Sequence, residues 1–597
     1  MRWAAPVIRA GGQADATEET SESGEREPGW RVPGPVLQGL IAFVIYLVVF
    51  ILAYGQALLP HLNAPRVGQV EVDPNFYIWA IRWWPYAITH GLNPLYSHQI
   101  GAPGGYNLAW ATTTPTVSLL MWPITATVGP IAAFNLTLLL APPASAWATF
   151  ILTRRLTGQF WPALFAGPVY GFCVYELDHE VSGQPNLTVT LLIPLIAYLV
   201  LRWWDGSLSR NGYLIWMTVA LAAEFYTFVE AFTELTMLSV VALVLGFAVA
   251  GRPAWPKVAR LAVLTAIAYV GAAVLAAPYL YFALRDIPTG LTRQLPYFSM
   301  DFASLIVPRT DRLLGMKWLA ATAGHDMNSS SYVGIPLLLI LLGVAVFSWS
   351  NRLVRLLVPF FVVAVALAAG PTLYIDGQKV TALPWGGIWS LPLLKSAEPM
   401  RFIDFGYLAL AVVLALWLAQ LTKSRLLRAA RWGLGVLALA AIFADAPTFA
   451  EVVIPPPAAH SHWKQAIPTD QLTDVIPAFF TAGLYRQYIK PGETVVILSH
   501  RGNAGMMFQA YTGFYFNIAG GFINASLSQP DAVPYPVELL SHPTKQRVAN
   551  FKAYIKSAHV GALVVERAWS EHWMYVFGKI GLKTTTVGGV TVFQVPS

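Results

Sequence analysis

The first unbroken apolar stretch of the chain, Val36 to Pro60, is about 25 residues and long enough to cross a ~30 Å hydrocarbon core. Further apolar runs follow at Pro130 to Leu152, Phe160 to Tyr175, Leu187 to Trp203, Tyr213 to Phe228 and Ala231 to Ala250. The remainder are Val258 to Phe282, Tyr332 to Trp349, Leu353 to Gly370, Phe402 to Leu421 and Trp432 to Ala446. The pattern predicts about eleven helical membrane crossings. Thr114 to Thr127 is apolar but too short to cross, and is expected as a re-entrant or interfacial helix.

After Phe449 the pattern changes. "IPPPAAHSHW" reads as a proline-rich linker. Strand-like runs at Thr494 to Leu498, Ala562 to Val565 and Val590 to Val595 then alternate with helical patterns at Thr544 to Ser557 and Trp569 to Ile580. Residues 450–597 are therefore expected to form a small external α/β domain. Residues 1–35, small and acidic, lack the apolar core of a secretory signal and are expected as a disordered cytoplasmic tail. The fold class expected is an all-α polytopic membrane protein over residues 36–449, with a long first external loop at 61–113 and the external α/β domain behind it. Neither a solenoid repeat nor a pair of inverted halves is visible.

Composition agrees with that class. Of 597 residues 56% are hydrophobic and 12% charged, against about a quarter charged in soluble domains. The net charge is +7, but the bases sit in short clusters between apolar runs rather than on one polar face. Arg154/Arg155, Arg202/Arg210, Arg252/Lys257/Arg260, Arg352/Arg355 and Lys423/Arg425/Arg428/Arg431 occupy every second connection. That pattern reports topology and argues against a nucleic-acid partner. It places the chain in the cytoplasmic (plasma) membrane with its amino terminus on the cytoplasmic side and the acid-bearing loops and carboxy-terminal part outside. Cys173 is the only cysteine, which excludes an intramolecular disulfide.

Three segments carry candidate chemistry. The first, "EVDPNFYIWAIRWWPYAITHGLNPLYS", starts at Glu71 and follows the first crossing. Phe76, Ala80, Trp83, Trp84, Ala87 and Ile88 fall on one helical face, and tryptophan favours the membrane–water boundary. A helix lying on the outer bilayer surface is expected, kinked at Pro85, with Glu71 and Asp73 held at headgroup level. A carboxylate there reaches a substrate whose tail stays in the membrane. The second, "AAEFYTFVEAFTELT", puts Glu224, Glu230 and Glu234 in or beside apolar spans, where an ionisable residue is a functional candidate; acids at a solvated turn are the plainer alternative. The third, "YELDHEVSGQPN", is expected as an external turn carrying Glu176, Asp178, His179 and Glu180. There His179, Gln184 and Asn186 can hydrogen-bond sugar hydroxyls, or else the loop is simply solvated.

An anchor helix, a long first external loop with an early acid, many spans and an external carboxy-terminal domain resemble the GT-C superfamily of integral-membrane glycosyltransferases. The phrases "VDPNFYIWAIRWWPYAITHGLNP", "WPITATVGPIAAFNLTLLLAPPASAWATFILTRRLTG", "VSGQPNLTVTLLIPL" and "SAEPMRF" resemble a broad group of bacterial multi-spanning proteins of that superfamily. The resemblance implies inverting transfer of a sugar from a polyprenyl-phosphate carrier to a glycan, lipid or protein acceptor at the external face. Asp73 is then the candidate general base. Arg401, Arg293, Lys395 and Arg82 are candidates for the leaving phosphate, although an arginine at a span end also serves as an interfacial anchor. The pair Glu71-x-Asp73 resembles the acid-x-acid element with which some members hold a divalent metal, Mg2+ or Mn2+. Two other classes stay open: a transporter or lipid-linked-glycan flippase, and a non-catalytic glycolipid-binding homologue. Acids near span ends rather than at span centres favour the enzyme.

Overall fold

A computed structural model describes residues 34–55, 58–59, 62–63, 73–287, 298–308, 331–391, 397–443, 446, 476–499, 503–521, 545–566, 577 and 581–596. The amino-terminal tail, the proline-rich linker, Glu71, Arg293 and Lys395 lie outside the described residues.

The apolar runs form helices in chain order. After α1 (Pro35–Phe50) come α2 (Asp73–Thr89), the six-residue α3 (Pro115–Leu120) and α4 (Trp122–Thr127), and the 28-residue α5 (Pro130–Thr157). Next are α6 (Phe160–Gly171), α7 (Val174–Val181), α8 (Pro185–Thr188), α9 (Leu192–Trp204), α10 (Arg210–Thr227) and α11 (Val229–Ala250). The remaining helices of this part are α12 (Trp255–Leu275), α13 (Ala277–Arg285), α14 (Ile335–Phe347), α15 (Arg352–Ala368), α16 (Ile403–Leu418) and α17 (Arg425–Ile442). Among the described residues six helical stretches are long and apolar enough to cross a membrane: Pro35–Gly55, Pro130–Thr157, Pro185–Trp204, Val229–Ala250, Arg252–Leu275 and Pro399–Leu418. The other expected crossings are shorter or more polar helices, such as α6 with 12 residues and α14 with 13.

Helix α5 is the central post. Its 28 residues run about 42 Å at 1.5 Å per residue. Against it α6 packs through Gly167 and Gly171. A Cβ on Gly171 would collide with the Ala146 nitrogen, and one on Gly167 would lie 2.8 Å from the Ala146 carbonyl oxygen. Small residues four apart let the backbones touch, which replaces the hydrophobic driving force that lipid does not supply. The basic clusters gather at one end of the bundle. Arg155 pairs with Asp205 at 2.7 Å, Lys257 donates to the Trp204 carbonyl at 2.6 Å, and Arg352 donates to the Ala250 carbonyl at 3.2 Å.

At the other end sits a five-stranded sheet in the order β6-β5-β7-β9-β8. Its strands follow two short hairpins, β1 (Tyr96–Ser97) with β2 (Tyr106–Asn107) and β3 (Thr372–Ile375) with β4 (Gln378–Ala382). The sheet itself contains β5 (Thr494–Leu498), β6 (Asn517–Ile518), β7 (Val560–Glu566), β8 (Lys583–Val587) and β9 (Val590–Gln594). Strand β5 runs parallel to β6 and β7, and β9 antiparallel to β7 and β8. Central β7, "VGALVVE", is buried along nearly all its length, as a strand covered on both faces must be.

The helix α18 (Ala504–Tyr511) joins β5 to β6 and packs on α2, where the structure departs from the surface-helix expectation. Trp79 and Trp83 are 0% and 1% exposed. They stack on each other at 5.3 Å, and Phe514 meets both edge-on at 5.8 and 5.6 Å. The apolar stripe of α2 therefore faces protein, and the helix passes through Pro85 without ending. Gln509, fully buried, secures the contact. Its Oε1 accepts from Trp79 Nε1 at 2.7 Å, and its Nε2 donates to the carbonyls of Gln99 and Phe516, each at 2.7 Å. Gln509→Leu removes all three bonds while keeping volume. We expect a loss of about 1–3 kcal/mol for each buried group left unpaired, read as a lowered midpoint of thermal unfolding in detergent.

Candidate active site

Asp73 opens α2, where the unpaired N–H groups and the dipole of a helix start favour a carboxylate. The turn after α7 closes onto it. Gly183 in that turn has φ +69°, and a Cβ there would come within 2.7 Å of Pro74 Cγ, so glycine alone allows the approach. Gln184 Nε2 then donates to Asp73 Oδ2 at 2.6 Å, and Gln184 Oε1 lies 2.6 Å from His179 Nδ1. An ionised carboxylate can only accept, so the amide nitrogen faces Asp73 and the amide oxygen faces His179. This makes Nδ1 the protonated nitrogen of His179. Nε2 is a buried acceptor with no hydrogen-bond partner among the described residues. Burial, reinforced by the positive charge of Arg401, lowers the His179 pKa to about 3 against the upward pull of Gln184, so the ring is neutral at pH 7.

A second group stands beside the first. Arg401 lies in the 3-10 turn Pro399–Phe402 that leads into α16 and is 7% exposed. Its guanidinium pairs with Glu230 at the start of α11 and with Glu398 at 2.9 Å, and covers the Phe228 ring at 5.0 Å. The Glu398 backbone N–H donates to Glu230 Oε1 at 2.6 Å, closing a ring of contacts. One guanidinium thus serves as counter-ion to two carboxylates.

Segment 176–180, expected as an external turn, is helix α7 with Glu176, Asp178, His179 and Glu180 all at most 3% exposed. Glu176 is paired with Thr190, whose hydroxyl lies 3.1 Å from that of Ser145. Tyr170 Oη donates to Asp404 Oδ2 at 3.0 Å. Burial pushes the Glu176 and Glu180 carboxyls well above the usual range, and for Glu176 Asp404 adds to the rise while Thr190 opposes it.

Of the residues singled out from the sequence, the fold brings Asp73, Gln184, His179, Arg401 and Glu230 together. Asn186, in α8, is buried, and its Oδ1 has no hydrogen-bond partner among the described residues. Arg82 points elsewhere and donates to the Thr125 carbonyl at 2.9 Å, tying α2 to α4. Sequence reasoning missed Glu398, Asp404 and Gly183. Asp404, an acid inside the apolar run "RFIDFGYLAL", carried the signal of an intramembrane ionisable residue; the requirement for Gly183 depends on what it touches. Among the described residues no group of three or more His, Cys, Asp and Glu is placed to hold a metal ion. Of the acid-x-acid element only Asp73 is described, and its Oδ2 accepts from the Gln184 amide.

Residues 43–445 match the family described as a domain of unknown function, DUF6311. The chain belongs to that family. No curated protein matches it. Among solved structures, the DUF6311 chain is similar to the arabinofuranosyltransferase AftD from Mycobacteria, with a TM-score of 0.56 at 14% identity over 94% of this chain. That match spans 40% of AftD. It is also similar to the oligosaccharyltransferase AglB from Archaeoglobus fulgidus, with a TM-score of 0.51 at 12% identity over 94% of this chain and 74% of that one. The chain shares the fold of these two solved proteins.

Two outcomes test this arrangement. Arg401→Met strands Glu230 and Glu398 without their counter-ion, at a cost of about 3–5 kcal/mol, and adding Glu230→Gln and Glu398→Gln restores most of it; thermal unfolding of the single and triple variants measures both. His179, neutral when folded, takes up a proton on unfolding once the pH falls below its unfolded value of 6.5. Its contribution is therefore complete above pH 6.5 and is lost as the pH falls toward about 3, with a slope of up to about 1.4 kcal/mol per pH unit. His179→Gln should flatten the fall in unfolding midpoint between pH 7 and pH 5 relative to wild type.

Proposed function

We propose that this chain is an inverting membrane glycosyltransferase that moves a sugar from a polyprenyl-phosphate-linked donor to a cell-envelope glycan, lipid or protein acceptor. The reaction takes place at the external membrane face, the side that carries the carboxy-terminal domain, and the basic end of the bundle faces the cytoplasm. The observation that carries this reading is the Asp73 carboxylate, held at a helix start by Gln184 within a GT-C fold. A lipid-linked donor has support from AglB, whose solved complex contains a dolichol-phosphate and an inhibitory peptide.

The roles follow from the contacts. The acceptor hydroxyl gives its proton to Asp73 as its oxygen attacks the anomeric carbon from the face opposite the phosphate. The carbon–oxygen bond to the phosphate breaks, and the polyprenyl phosphate leaves with the electron pair. Gln184 fixes the plane of the base, and His179 fixes the orientation of Gln184. The unpartnered acceptors Asn186 Oδ1 and His179 Nε2 are assigned to sugar hydroxyls. Arg401, whose Nε has no hydrogen-bond partner among the described residues, is assigned to the leaving phosphate together with Arg293 and Lys395, while Arg82 holds α4. No step is routed through a metal.

The test is transfer of labelled sugar from a panel of polyprenyl-phosphate sugars in membranes holding wild type or Asp73→Asn at matched expression and unfolding midpoint. Loss of a general base should lower the rate about 10²- to 10⁴-fold. Equal rates would remove Asp73 from the chemistry, and absence of transfer with every donor would overturn the enzyme reading.

A further inference from the structure

At the basic end, far from Asp73, the helices part to leave a groove of about 2240 Å³ bounded by α1, α5, α9, α10, α11, α12, α15 and α16. Sites for small molecules occupy roughly 300–1,000 Å³, so this space is sized for a lipid. Trp147, Leu243, Gly246, Ala262, Phe360 and Leu408 make its walls apolar. The deeper polar side chains are already satisfied. Thr236 and Tyr269 share a bond at 3.0 Å, and Thr265 is bonded to Tyr213 at 2.7 Å.

The mouth has the opposite character. Arg154, Arg155 and Lys257 line it, with Asp205 as their one acid. Each cation spends only part of its donor set: Arg154 on Gln38 at 2.8 Å, Arg155 on Asp205 at 2.7 Å, and Lys257 on the Trp204 carbonyl at 2.6 Å. A guanidinium carries five N–H donors and an ammonium three, so donors remain for a phosphodiester. Depth decides the tail. Along α12 the lining runs from Lys257 to Tyr269, about 18 Å of helix, which is close to the ~15 Å of one leaflet's hydrocarbon.

We propose that this groove binds an anionic diacyl phospholipid from the leaflet at the basic end. Its chains lie along α12 and α16, and its phosphodiester sits against Arg154, Arg155 and Lys257. One leaflet of depth suits two acyl chains better than a polyprenyl tail, and the charge at the mouth selects an anionic head. Helix α16 joins this groove to the candidate active site, since Phe405 lines the one and Arg401 sits a turn away in the other. The binding does not depend on the proposed sugar transfer.

The test uses the full chain, delipidated in detergent and exchanged against equimolar phosphatidylglycerol and phosphatidylcholine, with lipid retained per protein counted by mass spectrometry. Wild type should retain phosphatidylglycerol about tenfold over phosphatidylcholine. Arg154→Gln with Lys257→Gln should abolish that preference. Gly246→Trp should abolish retention of both lipids, because a Cβ at Gly246 meets nothing within 4 Å and the ring enters the groove. Equal retention of the two lipids by wild type, undiminished retention by Gly246→Trp, or displacement of phosphatidylglycerol by an equimolar polyprenyl phosphate would each overturn the proposal. Should Gly246→Trp fail to fold, the charge variant alone decides between a lipid selected by its head and one that merely fills space.

Discussion

A polar side chain taken out of water must find its partner inside the protein, and in a chain this apolar that requirement organises everything around Asp73. Gln509 answers it with three bonds that fasten the carboxy-terminal sheet to α2. Gln184 answers it by bridging Asp73 and His179. Arg401 answers it with Glu230 and Glu398, which joins the start of α11 to the entry of α16. Each set links elements distant in sequence, and together they hold α2, α7, α11 and α16 in one arrangement.

The two ends of the helical part respond to different demands. At the Asp73 end, backbones and side chains interlock closely enough that Gly183 and Gly171 have no room for a Cβ. At the basic end the helices are joined by a few polar stitches around an open apolar groove. Tight packing suits a site that must keep a carboxylate oriented. A looser end facing lipid costs little, because acyl chains fill space that water would not.

Much of this was legible in the order of residues. Apolar runs long enough to cross a bilayer, basic clusters in alternate connections, an acid at the head of a Trp-rich helix and strands after residue 490 all follow from period, length and charge. So did the resemblance to GT-C glycosyltransferases, which the fold bears out. The misreadings share one cause. A stripe of tryptophans looks the same whether it faces lipid or another part of the protein, so Trp83 and Trp84 were expected at the bilayer surface and lie in a protein core. A run of acids reads as a turn until something covers it, so Glu176 to Glu180 were expected as an external turn, solvated or lined up for sugar, and form a buried helix.

By itself, then, the sequence determined the class of solvent in which the chain folds and the residues able to do acid–base work, because hydropathy and side-chain chemistry are local properties. The tertiary structure decided which of those residues meet. That Arg401 meets two carboxylates, that Gln184 reaches Asp73 past a glycine, and that α2 is seated by Gln509 more than 400 residues further along are facts of distance. A pairing between distant segments is settled by the packing energy of the whole fold, and no local pattern encodes it.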